Sequence, residues 1–376
     1  MNELIIGDLK VKVPIIQGGM GVAISLSGLA SAVANQGGIG VISAIGLGMK
    51  EPNYMKNFHK ANKKVLRKEI RKAKSLTNGV LGVNIMLAVT DWEEMFKISI
   101  EEEIDIVFLG AGLPLKMPET IHPDTLKLTR TKIAPKVSSP RAVNIILKYW
   151  AEKYNHLPDA FVIEGPLAGG HLGFRKTELT NNNISLSSLI RETVEIIKPY
   201  EEKFNKEIPV IAAGGIYTGK DIFEIMQHGA KAVKMGTRFV TTHECDASIE
   251  FKESYINSSK EDITIIDSPV GLPGRAIRNN FIDEINSGMK KPFKCYWRCI
   301  KPCDYKNAPY CIAQALFNAA NGKMDEGFSF AGTNAYKATK LESVKEIMDE
   351  LIQEYKLSEL AASYNQYKNI SQAIAS

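Results

Sequence analysis

The chain has 376 residues, 44% of them apolar and 24% charged, with 47 Lys and Arg against 42 Asp and Glu for a formal charge of +5. That balance is ordinary for a globular protein, and the positive charge is spread along the chain rather than clustered, which excludes the basic face of a nucleic-acid binder. The length suits one domain of roughly 250 residues with an appendage.

The opening stretch, MNELIIGDLKVKVP, has no positive leader followed by an apolar run, so a signal peptide is not expected. Five cysteines, an odd number, argue against a disulfide framework and point to the cytoplasm. Residues 13–49 carry no charge, but Gly18, Gly19, Gly21, Gly28, Gly37, Gly38 and Gly40 break the stretch, and Gln17, Asn35 and Gln36 interrupt it. A bilayer span wants about twenty mostly apolar residues in one helix. Buried strand, turn, helix, turn, strand fits better, and no membrane partner is expected.

Short apolar runs ending in glycine or another small residue then follow in order. They are VPIIQGG (13–19), IGVISAIG (39–46), VLGVNIML (80–87), IDIVFLGAG (104–112), TKIAPKV (131–137), AFVIEG (160–165), IPVIAAGG (208–215) and KAVKMGTRF (231–239). Most lack polar alternation, as strands buried on both faces of a parallel sheet do. Helix-like segments lie between them, with Leu26, Leu29, Val33 and Ala34 on one face, Ala142, Ile145, Ile146 and Tyr149 on another, and Leu189, Val194 and Ile197 more loosely on a third. A short helix with Asp221, Phe223, Ile225 and Met226 precedes HGAKAV, whose glycine is a helix stop. Eight strands alternating with helices over about 250 residues indicate an α/β fold of the (β/α)8 TIM-barrel type. An open doubly wound sheet is the alternative, but it would place its glycine-rich phosphate loop after the first strand only.

After the eighth run the rhythm fails. We expect the barrel over residues 1–245, a smaller, mostly helical lid domain over 246–335, and a closing helix with C-terminal tail over 336–376. The lid segment contains the Pro/Gly turn SPVGLPGR and a Cys-rich stretch at about 288–311, and residues 338–354 read as the amphipathic closing helix.

Barrel chemistry sits on the loops after the strands, and phosphate sites favour the loops after strands seven and eight. Here Gly214 and Gly215 open one such loop and Gly236 and Thr237 the other. Their N–H groups could meet an anion, and Thr218 and Gly219 begin a helix whose dipole would help. A tight turn explains either pair alone; two on consecutive strands favour a phosphate-bearing ligand. Gly19, Met20 and Gly21 in the first loop suit the face of a flat ring, or simply a turn into a helix. Asn84 ends the third strand and needs a polar partner. Lys136 ends the fifth, where a buried lysine demands an anion, either a ligand or Glu164 at the end of the sixth; snorkelling out of the mouth is the other option. In IEGPLAGGHLGF (163–174), Ala168, Gly169 and Gly170 leave room for a flat group, and His171 projects over it. With an ordinary pKa near 6.5 it is a candidate proton carrier.

QGGMG, VNIML, the AGGH loop, AAGGI and MGTRF, in that order, together with VGLPGRAIRN and DEGFSFAGTNAY, resemble the nitronate monooxygenase (2-nitropropane dioxygenase) family, which also contains flavin-dependent enoyl-acyl-carrier-protein reductases. The resemblance covers most of residues 10–350 and rests on motif order. It implies an oxidoreductase that holds FMN without a covalent bond. The phosphate would lie on Gly214, Gly215, Gly236 and Thr237, with Gly19, Met20 and Gly21 along the isoalloxazine. Asn84, Lys136 and Glu164 match flavin-contacting positions, the flat ring would pack on Ala168, Gly169 and Gly170 of the histidine loop, and His171 matches the catalytic histidine. The implied reaction converts an alkyl nitronate and oxygen to a carbonyl compound and nitrite, His171 taking the α-proton when a neutral nitroalkane is the substrate.

Two features depart from the family. PLAGGH stands where many relatives carry an acidic or other residue. Cys295, Cys299, Cys303 and Cys311 have the spacing C-x3-C-x3-C-x7-C, which matches no zinc or iron–sulfur pattern, so no metal is assigned. Arg298, Lys301 and Lys306 nearby would lower the thiol pKa values. Three functions follow: nitronate oxidase, placed first; NAD(P)H-dependent reductase of an enoyl thioester or quinone, for which the positive charge suits an acidic acyl carrier protein as partner; and a flavin redox sensor whose cysteines carry the signal. A small-molecule substrate and a homodimer are compatible with all three.

Overall fold

All eight apolar runs are parallel strands in the computed structural model, which describes residues 1–118, 125, 128–180 and 184–375, with side chains for all of these except residue 180 and residues 366–375. The strands are β1 (Ile15–Gln17), β2 (Gly40–Ser43), β3 (Leu81–Met86), β4 (Ile106–Gly110), β5 (Lys132–Val137), β6 (Phe161–Glu164), β7 (Val210–Ala213) and β8 (Ala232–Met235). Each pairs with its sequence neighbour, and β8 returns to β1 through Val233 opposite Ile15. The Ile16–Ile39 bridge closes the ring, with Gln17 N donating to Ile39 O at 2.9 Å.

Strand alternation sorts the core into two sets. Ile16, Val41, Ile106, Phe108, Ala134, Val162, Ile211 and Ala232 fill the barrel interior. The residues between them, such as Ile15, Ile42, Val83, Val107, Ile163 and Val233, pack outward among the helices. This is why the runs read as continuously apolar. A hairpin of Leu4–Ile6 and Leu9–Val11 adds Leu4, Ile6 and Val11 to the inner set and plugs the end of the barrel from which the strands start.

The crossover helices α1 (Ser27–Asn35), α2 (Phe58–Leu76), α3 (Trp92–Glu101), α4 (Pro140–Tyr154), α5 (Leu186–Phe204) and α6 (Gly219–Met226) surround the strands. Their starts are chemically marked. Ser139 Oγ accepts from Ala142 N at 3.2 Å ahead of Pro140, and Thr218 with Asp221 forms a capping box. The buried face of α4 is Val143, Ile146, Leu147 and Trp150, rotated from the expected Ala142–Tyr149 stripe, and Ile145 is exposed. Trp150 explains the rotation: its indole donates to Pro114 O at 2.7 Å inside the core.

Beyond β8 comes the short helix α7 (Thr237–Val240), then α8 (Ile249–Ile256), α9 (Asn280–Asn286) and α10 (Ile312–Ala320). Among these helices lies an antiparallel pair, β9 (Ile263–Asp267) and β10 (Pro273–Ile277), which the turn-like sequence SPVGLPGR conceals. Gly170–His171 adds to β10 as a third strand, so this cover is stitched onto the loop after β6. The last helix, α11, runs from Val344 to Ala375. It begins later than the pattern suggests because Ser343 and Glu346 form a capping box, Ser343 Oγ accepting from Glu346 N at 3.1 Å and the Glu346 carboxylate from Ser343 N at 2.7 Å. Arg238, buried after β8, ties it to the barrel through Glu342 at 2.7 Å and Glu350 at 2.8 Å. No helix among the described residues is long and apolar enough to cross a membrane.

Candidate active site

Inward alternation, continued to the ends of the strands from which the loops leave, brings polar groups into an otherwise apolar barrel. Asn84 follows Gly82, Lys136 follows Ala134, Glu164 follows Val162 and Lys234 follows Ala232. Above them lies a cavity of about 560 Å³, within the range of small-molecule sites. Its walls contain Gly19, Met20, Gly21, Asn84, Lys136, Glu164, Ala168, Gly169, Gly170, His171, Gly214, Gly215, Gly236 and Thr237. The expected site residues other than Thr218 and Gly219 therefore meet the same space.

The glycines are there for reasons the geometry makes plain. A Cβ on Gly19 would stand 2.3 Å from Asn84 Cβ, and one on Gly169 would stand 2.4 Å from the Ala331 carbonyl carbon. Gly214 and Gly215 adopt φ of +94° and +82°, a left-handed pair in which glycine avoids strain. Among the described residues, the N–H groups of Gly214, Gly215 and Gly236 donate to no backbone carbonyl. Unpaired amides converging on a cavity suit an anion. The α6 terminus does not join them: Thr218 N is taken by Asp221 at 2.9 Å and Gly219 N by Glu354 of α11 at 2.6 Å. The contribution expected from Thr218 and Gly219 is therefore not made, since carboxylates of the chain take both N–H groups.

Lys136 Nζ meets Glu164 Oε1 at 2.6 Å, the carboxylate among its expected partners. Lys234 is the residue that sequence reasoning missed. It is buried, 3.4 Å from Asn84 Oδ1 and 3.6 Å above the centre of the Phe108 ring. The signal was present, since a lysine inside the apolar run KAVKM raises the same question as Lys136.

His171 Nε2 lies 2.7 Å from Ser268 Oγ, and its ring meets Phe330 edge-on at 4.9 Å. Burial first, and the positive charge of Lys136 second, depress the imidazole pKa from 6.5 to about 4. The histidine is therefore neutral at neutral pH. Its loop is held by Arg275 of β10, whose guanidinium donates to Pro166 O at 2.8 Å and also to Ala168 O. Ser268, Arg275 and Phe330 were not singled out from the sequence, although Arg275 and Phe330 lie within VGLPGRAIRN and DEGFSFAGTNAY.

The cysteine stretch docks beside the cavity. Trp297 stacks on Phe58 with ring centres 4.6 Å apart, Cys299 O accepts from Thr90 N at 3.1 Å, and Cys299 and Ile300 reach the cavity wall. Burial, aided by the neighbouring cysteines, pushes Cys299 up to about 12 and also raises Cys303 and Cys311. At these three the expected lowering fails, and Arg298 and Lys301 lie over the rings of Tyr305 and Trp92. Among the described residues, no group of three or more His, Cys, Asp or Glu is placed to hold a metal ion.

Comparison with known proteins places this geometry in a lineage. Residues 2–354 match the family described as nitronate monooxygenase. A probable nitronate monooxygenase of Staphylococcus aureus (strain Newman) is 27% identical over 307 residues, covering 74% of this chain and 79% of the relative. A (3aS,4S,5R,7aS)-5-hydroxy-7a-methyl-1-oxo-octahydro-1H-indene-4-carboxyl-CoA dehydrogenase of Mycobacterium tuberculosis is 24% identical, covering 75% of this chain and 68% of the relative. The structure of FabK from Thermotoga maritima superimposes with a TM-score of 0.71 at 27% identity, covering 95% of this chain and 96% of that one. A nitroalkane oxidase from Streptomyces ansochromogenes shares the fold, with a TM-score of 0.69 at 20% identity over 94% and 98% of the two chains. With strands, cavity and motif order in agreement, the chain belongs to the nitronate monooxygenase family of flavin-dependent oxidoreductases.

Proposed function

We propose that the cavity holds FMN and that the enzyme oxidises alkyl nitronates with O2 to a carbonyl compound and nitrite. One observation carries this reading: two loops with unpaired amides, a loop of small residues, a lysine–carboxylate pair and a neutral histidine all line one cavity. Gly214, Gly215, Gly236 and Thr237 would take the phosphate. Gly19, Met20 and Gly21 would line the ring, Ala168, Gly169 and Gly170 would leave it room, and Asn84, Lys136 and Glu164 would meet its polar edge. The bound flavin would supply the electron acceptor.

The chain's own groups do the rest. His171, neutral and fixed by Ser268 and Phe330, accepts the α-proton of a nitroalkane or hydrogen-bonds an incoming nitronate. The Lys136–Glu164 pair would orient the ring's polar edge, and Leu272, Leu316 and Phe330 of the cover line the cavity and would limit its water. In this reading residues 1–245 form the cofactor barrel, 246–335 its cover and 336–376 the closing helix.

The test is a visible spectrum of purified protein followed by paired anaerobic additions. Loss of the oxidised flavin bands with ethyl nitronate, and not with NADH, supports the oxidase. Rapid bleaching by NADH with no response to nitronate selects an NAD(P)H-dependent reductase. Colourless protein that takes up no FMN ends the proposal.

A further inference from the structure

The charges at the barrel mouth do not balance. Lys136 and Glu164 satisfy each other at 2.6 Å. Lys234 lies beside them, buried, and makes no ion pair among the described residues. Its contacts are the Asn84 amide oxygen at 3.4 Å, a long hydrogen bond, and the face of Phe108 at 3.6 Å. Neither is an anion, and both sit on adjacent strands where Asn84 pairs directly with Phe108. A lysine carried into a barrel interior in this way is costly unless a negative charge completes it. The cavity lies directly above, and Lys234 forms part of its wall.

Building on the FMN reading, we propose that Lys234 is a positioning residue that sets the site's preference for the anionic, reduced form of the flavin over the neutral-ringed oxidised form. Lys136 is already compensated by Glu164, so Lys234 supplies the charge that remains to be matched. Burial, then the like charge of Lys136, push its amine well below the ordinary lysine range, with Glu164 pulling the other way. A negative charge arriving in the cavity reverses that balance and favours the ammonium. The same interaction is much weaker for a ring that carries no charge.

The experiment compares wild type with Lys234→Gln and Lys234→Met. Dissociation constants for oxidised FMN, and for FMN reduced with dithionite under anaerobic conditions, are measured for each protein. We expect oxidised FMN to bind within about three-fold of wild type, while the reduced form binds at least about ten-fold more weakly in both variants, in line with about 1.4 kcal/mol per factor of ten. A lysine that merely props up the fold would weaken both forms alike. Equal losses, or no loss, in both redox states overturn the proposal while leaving the FMN reading intact. Failure of the wild-type protein to bind FMN at all overturns both.

Discussion

The depressed basicity of His171 is the most exposed consequence of the site. Moving the imidazole from 6.5 to about 4 corresponds to roughly 3 kcal/mol at about 1.4 kcal/mol per pH unit. The unfolded chain takes up this proton near pH 6.5, whereas the folded chain resists it until about pH 4. Between those values the unfolded state binds more protons, so this residue makes stability rise with pH and makes it fall on acidification from 6.5 towards 4. The chain has six histidines, and imidazole resonances of selectively labelled protein resolve them. The signal that disappears in His171→Gln should remain that of a neutral ring from pH 8 to about 5 and reach half-protonation near 4. In urea unfolding, acidification from pH 7 to 4.5 should destabilise wild type by roughly 2 kcal/mol more than His171→Gln. A titration midpoint near 6.5, with parallel stability curves for the two proteins, would show that the site is wet and that the neutral-base argument is wrong.

Three further substitutions probe the supporting structure. Gly19→Ala places a methyl 2.3 Å from Asn84 Cβ, so the loop must shift; we expect a loss of roughly 1–3 kcal/mol in urea unfolding and at least ten-fold weaker FMN binding by fluorescence titration. Arg275→Ala removes the donor to Pro166 O and Ala168 O; turnover of a nitronate should fall by about ten-fold or more while FMN affinity changes little, and Arg275→Lys should recover only part. Asp246 accepts from the N–H groups of Leu26, Gly28 and Leu29 at the start of α1, so Asp246→Ala should cost roughly 2–3 kcal/mol and Asp246→Asn less, read by the unfolding midpoint.

The barrel was legible because each strand is buried on both faces and so appears as an unbroken apolar run. Where burial is one-sided, the signal faded. Strands β9 and β10 are short and flank the turn that contains Ser268, Pro269 and Gly271, and the third strand of their sheet, Gly170–His171, comes about a hundred residues earlier in the chain. The glycine loops were legible for a local reason, since a glycine pair at a strand end has few uses. Lys136 declared itself as a charge in an apolar strand, and Lys234 deserved the same reading. What no local pattern could supply was the company each group keeps. The N–H of Gly219 at the start of α6 is spent on Glu354, and Lys301 beside the cysteines lies over the ring of Trp92; both partners come from distant parts of the chain.

The backbone on either side of the imidazole is woven into the cover rather than the barrel: His171 pairs with Gly274, and Leu172 N donates to Pro273 O at 2.9 Å. In the proposed reading, proton chemistry and ring binding would have separate mechanical anchors, one hanging from above and one rooted below. A chimera that transplants residues 246–335 from another member of the fold would keep the socket yet mis-aim its base, unless the stretch from Gly165 to Leu172 travelled with them.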